Sequence, residues 1–279
     1  MDRLPGLVAE FLDRWRLRID GRPMHGVCAL VLPVRTAEGA PAALKLSWPH
    51  PEARDEHLAL DVWAGDGAVR MLDAAPADYV VLLERLDPER DLSSVPLEEA
   101  LFCTGQLLAR LAVKSDLPFV GVHERARDWA TELANARRYP PSGVPARLLD
   151  RAAAVLGDLV DSADRVLLHT DLHYENVLAG EREPWLVIDP KPLAGDAAFD
   201  VAPLLWNRWD EAVSSADLGA HLRWRADVVA ECAGLDRQRV AGWVVVREVV
   251  EALDAVAYGD AGFRDMSVAI ANAFVPRSA

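Results

Sequence analysis

The 279-residue sequence has few cysteines, and its three, Cys28, Cys103 and Cys232, lie far apart. It has no Cys-x-x-Cys pair, so neither a disulfide framework nor a zinc site is indicated. It also lacks a run of about 20 apolar residues, the length that a membrane-spanning helix needs. These absences predict a cytoplasmic protein with no membrane partner.

Positive charge is also scarce. Lys and Arg number 30 against 44 Asp and Glu, which gives a formal net charge of -14. This balance argues against DNA or RNA as a partner, because phosphate binding needs a basic surface. It favours a cationic or small neutral substrate. Among the 30 cationic residues, the lysines are Lys45, Lys114 and Lys191.

The hydrophobic pattern predicts an α+β chain of two lobes, and a content of 51% apolar residues excludes disorder. Period-two patterns predict strands over 27–34, 42–48, 69–72 and 79–83. Helical spacing predicts helices over 5–16, 52–64, 96–114, 121–137, 145–161, 217–233 and 237–257. A short strand pair, 166–168 with 185–188, is expected to interrupt the later helices. We expect a β-rich N-lobe over 1–87 and a helical C-lobe over 88–279, with a monomer as the favoured oligomeric state.

Polar residues with a definite spacing surround the predicted strands 166–168 and 185–188. Asp171 and Asn176 follow the first strand, and Asp189 follows the second. Phosphoryl transfer needs a carboxylate beside the attacking hydroxyl, a role that Asp171 can fill. It also needs oxygen ligands for Mg²⁺, which Asn176 and Asp189 can supply. His-x-Asp-x-x-x-x-Asn followed by an Asp after a strand is the arrangement of kinases. His169 is expected to brace the loop by hydrogen bonding, and a role as catalytic base is the minor alternative.

A kinase also needs a lysine on a strand, paired with a glutamate on the next helix. Lys45 lies between apolar residues in a predicted strand, where an unpaired ammonium is costly. A lysine in an arginine-rich chain indicates that a compact cation is required there. Glu56 is the expected partner and Glu52 the rival, whereas Lys114 is expected to be solvated. The turn over 21–26 has two glycines and no Gly-x-Gly-x-x-Gly motif, so it adds no support.

The runs HTDLHYENVLAG and WLVIDPKPLAGDAAFDVAPLL resemble the aminoglycoside and hydroxyurea phosphotransferase family, which includes the streptomycin 6-kinases. The resemblance extends from about residue 20 to 210. It implies a two-lobed protein-kinase-like fold that uses ATP or GTP together with Mg²⁺. One departure is Thr170, where relatives commonly have Gly.

The resemblance also implies roles for single residues. Lys45 would hold the α- and β-phosphates and pair with Glu56, and Asp171 would be the catalytic base. Asn176 and Asp189 would be the metal ligands, and Asp200 a structural acid under the catalytic loop. The backbone of a hinge formed by Glu84, Arg85 and Leu86 would meet the adenine.

The acceptor is expected to be a small molecule. Position 170 is not Arg, and the short segment 189–200 has no room for a peptide platform. The leading hypothesis is transfer to a hydroxyl of a cationic, streptomycin-type aminoglycoside. Candidate carboxylates for binding it are Glu231, Glu248, Glu251 and Asp254. The alternatives are a kinase for hydroxyurea, a cationic peptide antibiotic or a metabolite, and a nucleotide-binding pseudokinase.

Overall fold

The first lobe is built on an antiparallel sheet. The structure is a computed structural model that describes residues 3–161 and 165–275. In the described chain, the sheet has the strand order β1-β3-β4-β6-β5, and β2 also pairs with β3. The strands are β1 (Arg18–Ile19), β2 (Met24–His25), β3 (Ala29–Arg35), β4 (Pro41–Ser47), β5 (Met71–Ala75) and β6 (Val80–Glu84). The helices α1 (Leu4–Arg14) and α2 (Glu56–Trp63) accompany it.

Alternation along β4 decides which side chains reach each side of this sheet. Ala42, Leu44 and Leu46 are buried in one cluster with Phe11 of α1. Successive strand side chains point to opposite faces. Lys45 therefore points away from this cluster, toward α2. The strand pattern thus places one buried cation on the inner face of the sheet.

The second lobe is mainly helical. Its helices are α3 (Leu97–Leu111), α4 (Val122–Arg138), α5 (Ala146–Asp161), α6 (Trp209–Val213), α7 (Leu218–Ala233), α8 (Arg237–Tyr258) and α9 (Ala261–Phe274). Short strands accompany them: β7 (Asp87–Asp91), β8 (Val166–Leu168), β9 (Val177–Ala179), β10 (Trp185–Val187) and β11 (Leu193–Gly195). None of the helices in the described ranges is both long and apolar enough to cross a bilayer.

The helix predicted over 52–64 is shorter than expected. Pro51–Ala53 form a 3₁₀ turn, and α2 begins at Glu56. Between them Asp55 has φ −107° and ψ 8°, which interrupts the helical backbone. Glu52 and Glu56 therefore lie on different elements, and only the second lies on α2.

The predicted pairing of 166–168 with 185–188 is wrong. β8 pairs with β11, whereas β10 pairs with β9, which in turn pairs with β7. Strands of three residues are too short for period-two alternation to identify their partners. The predicted turn over 21–26 also needs correction, because Met24–His25 form β2. The turn itself comprises Gly26, Val27 and Cys28, and Gly26 N–H donates to the carbonyl of Ala29 at 3.0 Å.

The two lobes meet just after the large sheet ends. Its strand β6 ends at Glu84, and the next strand, β7, already pairs with β9 of the second lobe. We therefore keep a lobe boundary near residue 87 as a proposal.

One carboxyl group is buried within the helical lobe. Glu248 of α8 is 0% exposed, and its Oε1 accepts a hydrogen bond of 2.9 Å from Trp206 Nε1. Burial, reinforced by nearby Glu251, raises the pKa of Glu248 to about 8. Between pH 4.5 and 8 the folded chain therefore holds a proton that the unfolded chain has lost. The contribution of this group to stability accordingly falls as the pH rises through that window.

Candidate active site

The loop after β8 is held in place by hydrogen bonds to a buried carboxylate, that of Asp200. Asp200 is 2% exposed and accepts hydrogen bonds from the backbone N–H groups of His169 at 2.7 Å and Thr170 at 2.8 Å. Burial raises the pKa of Asp200 to about 6. The two oxygen atoms of Asp200 fix two successive peptide groups, so the position of the next residue, Asp171, is defined.

His169 is buried and braces the same loop. Its Nε2 lies 2.9 Å from the carbonyl oxygen of Ile188, and its Nδ1 accepts a hydrogen bond of 3.3 Å from Asp171 N–H. The ring also stacks on Trp63. Burial lowers the pKa of His169 to about 4, so the imidazole is neutral at pH 7. A neutral ring can donate at Nε2 and accept at Nδ1, which fits a bracing role.

Thr170 adopts a backbone conformation that favours glycine. Its φ is 62°, in the left-handed region, which costs an ordinary residue about 1–2 kcal/mol. Its Oγ1 donates to the carbonyl of Lys191 at 2.6 Å, an interaction that contributes about 0.5–1.5 kcal/mol. The hydroxyl of Thr170 thus offsets part of the strain that glycine would avoid.

Asp171 and Asn176 are brought together by the loop. Asn176 Nδ2 donates to the carbonyl of Asp171 at 2.9 Å and to its Oδ2 at 3.3 Å. A third residue, Lys191, donates from Nζ to the same Oδ2. Burial alone would raise the pKa of Asp171, but Lys191, together with His173 and His169, outweighs burial and the pKa is lowered. Asp171 is therefore a carboxylate at neutral pH, the form that can accept a proton.

Lys45 connects the sheet, α2 and the segment after β10. Its Nζ lies 2.6 Å from Glu56 Oε1 and 2.5 Å from Asp189 Oδ1. Burial lowers the pKa of Lys45, but the two carboxylates outweigh burial and raise it to about 12. Glu56 is the partner that the structure gives Lys45, and Glu52 instead lines a nearby cavity.

Asp189 and Asn176 provide the two kinds of oxygen ligand that Mg²⁺ prefers. Asp189 Oδ1 forms an ion pair with Lys45, and the side chain of Asp189 is 44% exposed. Asn176 uses its amide nitrogen for Asp171, so its amide oxygen points the other way. Within the described ranges, no group of three or more His, Cys, Asp or Glu side chains could hold a metal ion. Because Mg²⁺ is often bound by one or two carboxylates plus substrate phosphates, these residues fit an ion that arrives with a nucleotide.

The side chains of the predicted hinge are engaged by the protein. Glu84 Oε1 accepts from Arg182 at 2.8 Å, and Arg85 donates to Asp20 at 2.6 Å. Leu86 packs against the hydrophobic core. Contact with a nucleotide at Glu84, Arg85 and Leu86 would therefore involve their backbone groups.

A cavity of about 440 Å³ opens beside Asp171, with Thr170 and Lys191 in its wall. Elements of both lobes line it, namely the 3₁₀ turn before α2, the helices α4 and α8, and the segment after β10. The carboxylates in its wall are Glu52, Asp55, Glu124, Asp128, Glu251 and Asp254. Four cationic residues, Arg54, Arg125, Lys191 and Arg247, also line it. The carboxylates outnumber them by two, and this excess of negative charge favours a cationic ligand.

The late-helix carboxylates singled out in the sequence divide into two groups. Glu251 and Asp254 line the cavity, and burial raises the pKa of both. Glu248 is buried beneath the helix surface, and Glu231 pairs with Arg237 on α8. Of the four candidates, only Glu251 and Asp254 therefore lie at the cavity.

The sequence reasoning missed two cationic residues of this site. Lys191 reaches Asp171, and Arg247 of α8 donates to the carbonyl of Thr170 at 3.0 Å. Lys191 had a usable signal, since it is one of three lysines and lies in the Ile-Asp-Pro-Lys run. Arg247 had none, because arginine is common throughout the chain.

Comparisons with known proteins identify the family. A family model described as aminoglycoside/hydroxyurea antibiotic resistance kinase matches residues 14–259. A streptomycin 6-kinase of Streptomyces glaucescens is 42% identical over 272 residues, which are 97% of this chain and 89% of that protein. A hydroxyurea phosphotransferase of Kitasatospora aureofaciens is 41% identical over an alignment of 282 positions, which covers 100% of this chain and 81% of that protein.

Solved structures share the architecture at lower identity. The choline kinase LicA from Streptococcus pneumoniae superposes with a TM-score of 0.64 at 13% identity, covering 98% of this chain and 97% of that one. At this identity the likeness shows the fold alone, and it confirms the predicted two-lobed protein-kinase-like fold. Together with the match over residues 14–259, it leads to one conclusion: the chain belongs to the aminoglycoside/hydroxyurea antibiotic resistance kinase family and is a small-molecule phosphotransferase.

Proposed function

We propose that this protein transfers the γ-phosphate of a Mg-nucleotide, ATP or GTP, to a hydroxyl of a streptomycin-type aminoglycoside. The observation that carries the proposal is the position of Asp171. Its Oδ2 accepts hydrogen bonds from Asn176 and Lys191, and Lys191 lines a cavity with six carboxylates in its wall. The 42% identity to a streptomycin 6-kinase supports the same substrate class.

On the nucleotide side, Lys45 would hold the α- and β-phosphates. The buried carboxylate of Glu56 holds the ammonium of Lys45 in place. Asn176 and Asp189 would hold Mg²⁺, which offsets the negative charge of the phosphates when it is bound. The backbone of Glu84 to Leu86 would meet the adenine, since the side chains of Glu84 and Arg85 are engaged elsewhere.

On the acceptor side, Asp171 would orient the attacking hydroxyl and accept its proton. The hydroxyl oxygen forms a bond to the γ-phosphorus while the bond from that phosphorus to the β–γ bridging oxygen breaks. The nucleoside diphosphate then leaves with that bridging oxygen. Because the pKa of Asp171 is lowered, the carboxylate is unprotonated and ready at neutral pH.

The cavity favours a large cation as the acceptor over a small neutral molecule. Guanidinium groups form paired hydrogen bonds with carboxylates, and Asp128 of α4 and Glu251 and Asp254 of α8 all line this cavity. A volume of about 440 Å³ far exceeds what hydroxyurea needs, and hydroxyurea carries no positive charge. Hydroxyurea stays the second candidate because a hydroxyurea phosphotransferase is 41% identical over the whole chain.

We also propose a cytoplasmic location. Each of the three cysteines is a free thiol, and the phosphate donor is a nucleotide.

Nucleotide turnover by the purified protein tests the proposed function. Release of nucleoside diphosphate would be followed with Mg-ATP or Mg-GTP and with streptomycin, other aminoglycosides, a cationic peptide antibiotic or hydroxyurea. We expect streptomycin to accelerate release most strongly, and the Asp171→Asn variant to abolish most of that acceleration. A protein that responds to hydroxyurea but not to streptomycin would overturn the proposed substrate class. A protein that binds nucleotide without turnover on any acceptor would be a pseudokinase.

A further inference from the structure

The use of lysine in this chain is highly selective. Of 30 cationic residues three are lysines, and two of these, Lys45 and Lys191, reach the same site. Lys114, the third, is exposed after α3. Lysine differs from arginine in carrying a compact point charge with three rotatable N–H donors. The site therefore has two compact cations. Lys45 is proposed to contact the nucleotide phosphates, and Lys191 has no role yet.

The backbone of Lys191 is fixed directly to the catalytic loop. Its N–H donates to the carbonyl of His169 at 2.9 Å, and its carbonyl accepts from Thr170 Oγ1 at 2.6 Å. The loop itself is held by Asp200. These bonds fix the backbone of Lys191 relative to the loop that carries Asp171.

The ammonium of Lys191 lies on the acceptor side of the site. Its Nζ donates to Asp171 Oδ2, and its side chain is 32% exposed and forms part of the cavity wall. Lys45 is 7% exposed and is held between Glu56 and Asp189. The two lysines therefore contact different parts of the site, and Lys191 borders the space where the acceptor hydroxyl would meet the phosphate.

We propose that Lys191 is a catalytic residue whose ammonium contacts the phosphoryl group during its transfer to the acceptor. The inference rests on the phosphotransferase function proposed above. As the hydroxyl oxygen bonds to the γ-phosphorus, its proton passes to Asp171 and the bond to the bridging oxygen breaks. One N–H of Lys191 orients Asp171, and the others donate to oxygens of the transferred group.

Charge explains why a cation is needed at this point. Asp171 is a carboxylate, and the transferred group carries negative charge on its own oxygens, so the two repel each other. An ammonium beside both reduces that repulsion at the moment when they approach most closely. Fixed donors aimed at charge in a transition state are typically worth about 10²–10³-fold in kcat.

Substitution of Lys191 separates this role from binding and from folding. We expect Lys191→Met to lower kcat by about 10²–10³-fold. The KM for each substrate and the Kd for Mg-nucleotide should change by less than about threefold, because neither depends on the transition-state contact. Lys191→Arg should recover at least about tenfold over Lys191→Met because it keeps the positive charge, but it should stay below the wild type because a planar fork replaces a compact point charge. Lys114→Met is the matched control and should leave kcat and KM unchanged.

The outcomes distinguish this inference from the proposed function. If the wild type turns over no acceptor, the proposed function fails first. If the wild type is active and Lys191→Met stays within threefold in kcat, Lys191 is not catalytic although the function stands. A raised acceptor KM at unchanged kcat, or an Arg variant no better than Met, would also overturn the assignment. Should Lys191→Met unfold, as judged by its melting temperature, Lys191→Gln serves the same test with a polar side chain.

Discussion

The buried ion pair of Lys45 and Glu56 joins β4 to α2, and its two members should be energetically coupled. The two side chains are 7% and 5% exposed, and their charged atoms lie 2.6 Å apart. Removal of one member of such a pair typically costs about 3–5 kcal/mol, because the remaining charge is buried without its partner. Lys45 differs from Glu56 in having a second carboxylate, Asp189, at 2.5 Å.

The two single variants should therefore differ in stability. Lys45→Met leaves Glu56 buried and near a second negative charge, so we expect a loss of about 3–5 kcal/mol. Glu56→Gln leaves Lys45 bonded to Asp189 and keeps an acceptor, so we expect a loss of about 1–3 kcal/mol. The double variant should lose less than the sum, with a coupling of about 0.5–3 kcal/mol.

Urea denaturation at pH 7 without nucleotide measures these free energies of unfolding, and the nine tryptophans supply a fluorescence signal. Glu52→Gln is the matched control, since Glu52 is exposed on the 3₁₀ turn before α2. We expect its effect to be additive with Lys45→Met. Additivity of the Lys45 and Glu56 variants, or coupling to Glu52 in their place, would refute the structural pairing.

Three further predictions concern single positions. Asp171→Asn should keep nucleotide affinity and lower kcat by about 10²–10⁴-fold, measured by acceptor-dependent release of nucleoside diphosphate; a decrease of only a few-fold would remove Asp171 from the mechanism. Glu248→Gln should raise the free energy of unfolding by a few kcal/mol at pH 8 and by little at pH 4.5, as measured by urea titration. The exposed variant Glu231→Gln is the control and should show no such trend. Equal effects of Glu248→Gln at both pH values would mean that Glu248 is not protonated in the fold. Thr170→Gly should change the free energy of unfolding by less than about 1 kcal/mol, because relief of backbone strain offsets the lost hydrogen bond of the hydroxyl. Thr170→Val should lower the free energy of unfolding by about 1–3 kcal/mol. Equal effects of the two variants would argue against strain at this position.

The spacing of a few polar residues allowed much of the site to be predicted from the sequence. Asp171 and Asn176 are five positions apart on one loop, so their proximity follows from local geometry. Lys45 and Asp189 are 144 positions apart, yet the sequence indicated a common site because a kinase needs both a lysine on an early strand and an Asp after a later one. The fold class followed in the same way from the change of hydrophobic period along the chain.

Other parts of the site depend on long-range packing that no local pattern records. Arg182 reaches Glu84 across 98 positions, and Arg247 reaches Thr170 across 77. The strands β9 and β11 have three residues each, too few to show a period. The choice between Glu52 and Glu56 depended on the backbone break at Asp55, which the helical spacing over 52–64 did not reveal.

The mass of the product distinguishes phosphorylation of streptomycin from nucleotide binding alone. Streptomycin would be incubated with Mg-nucleotide and either wild-type protein or Asp171→Asn, and its mass then measured. We predict that the wild type adds one phosphate group to streptomycin, and that the variant does so far more slowly. Recovery of unmodified streptomycin from a wild-type protein that binds Mg-nucleotide would contradict the account.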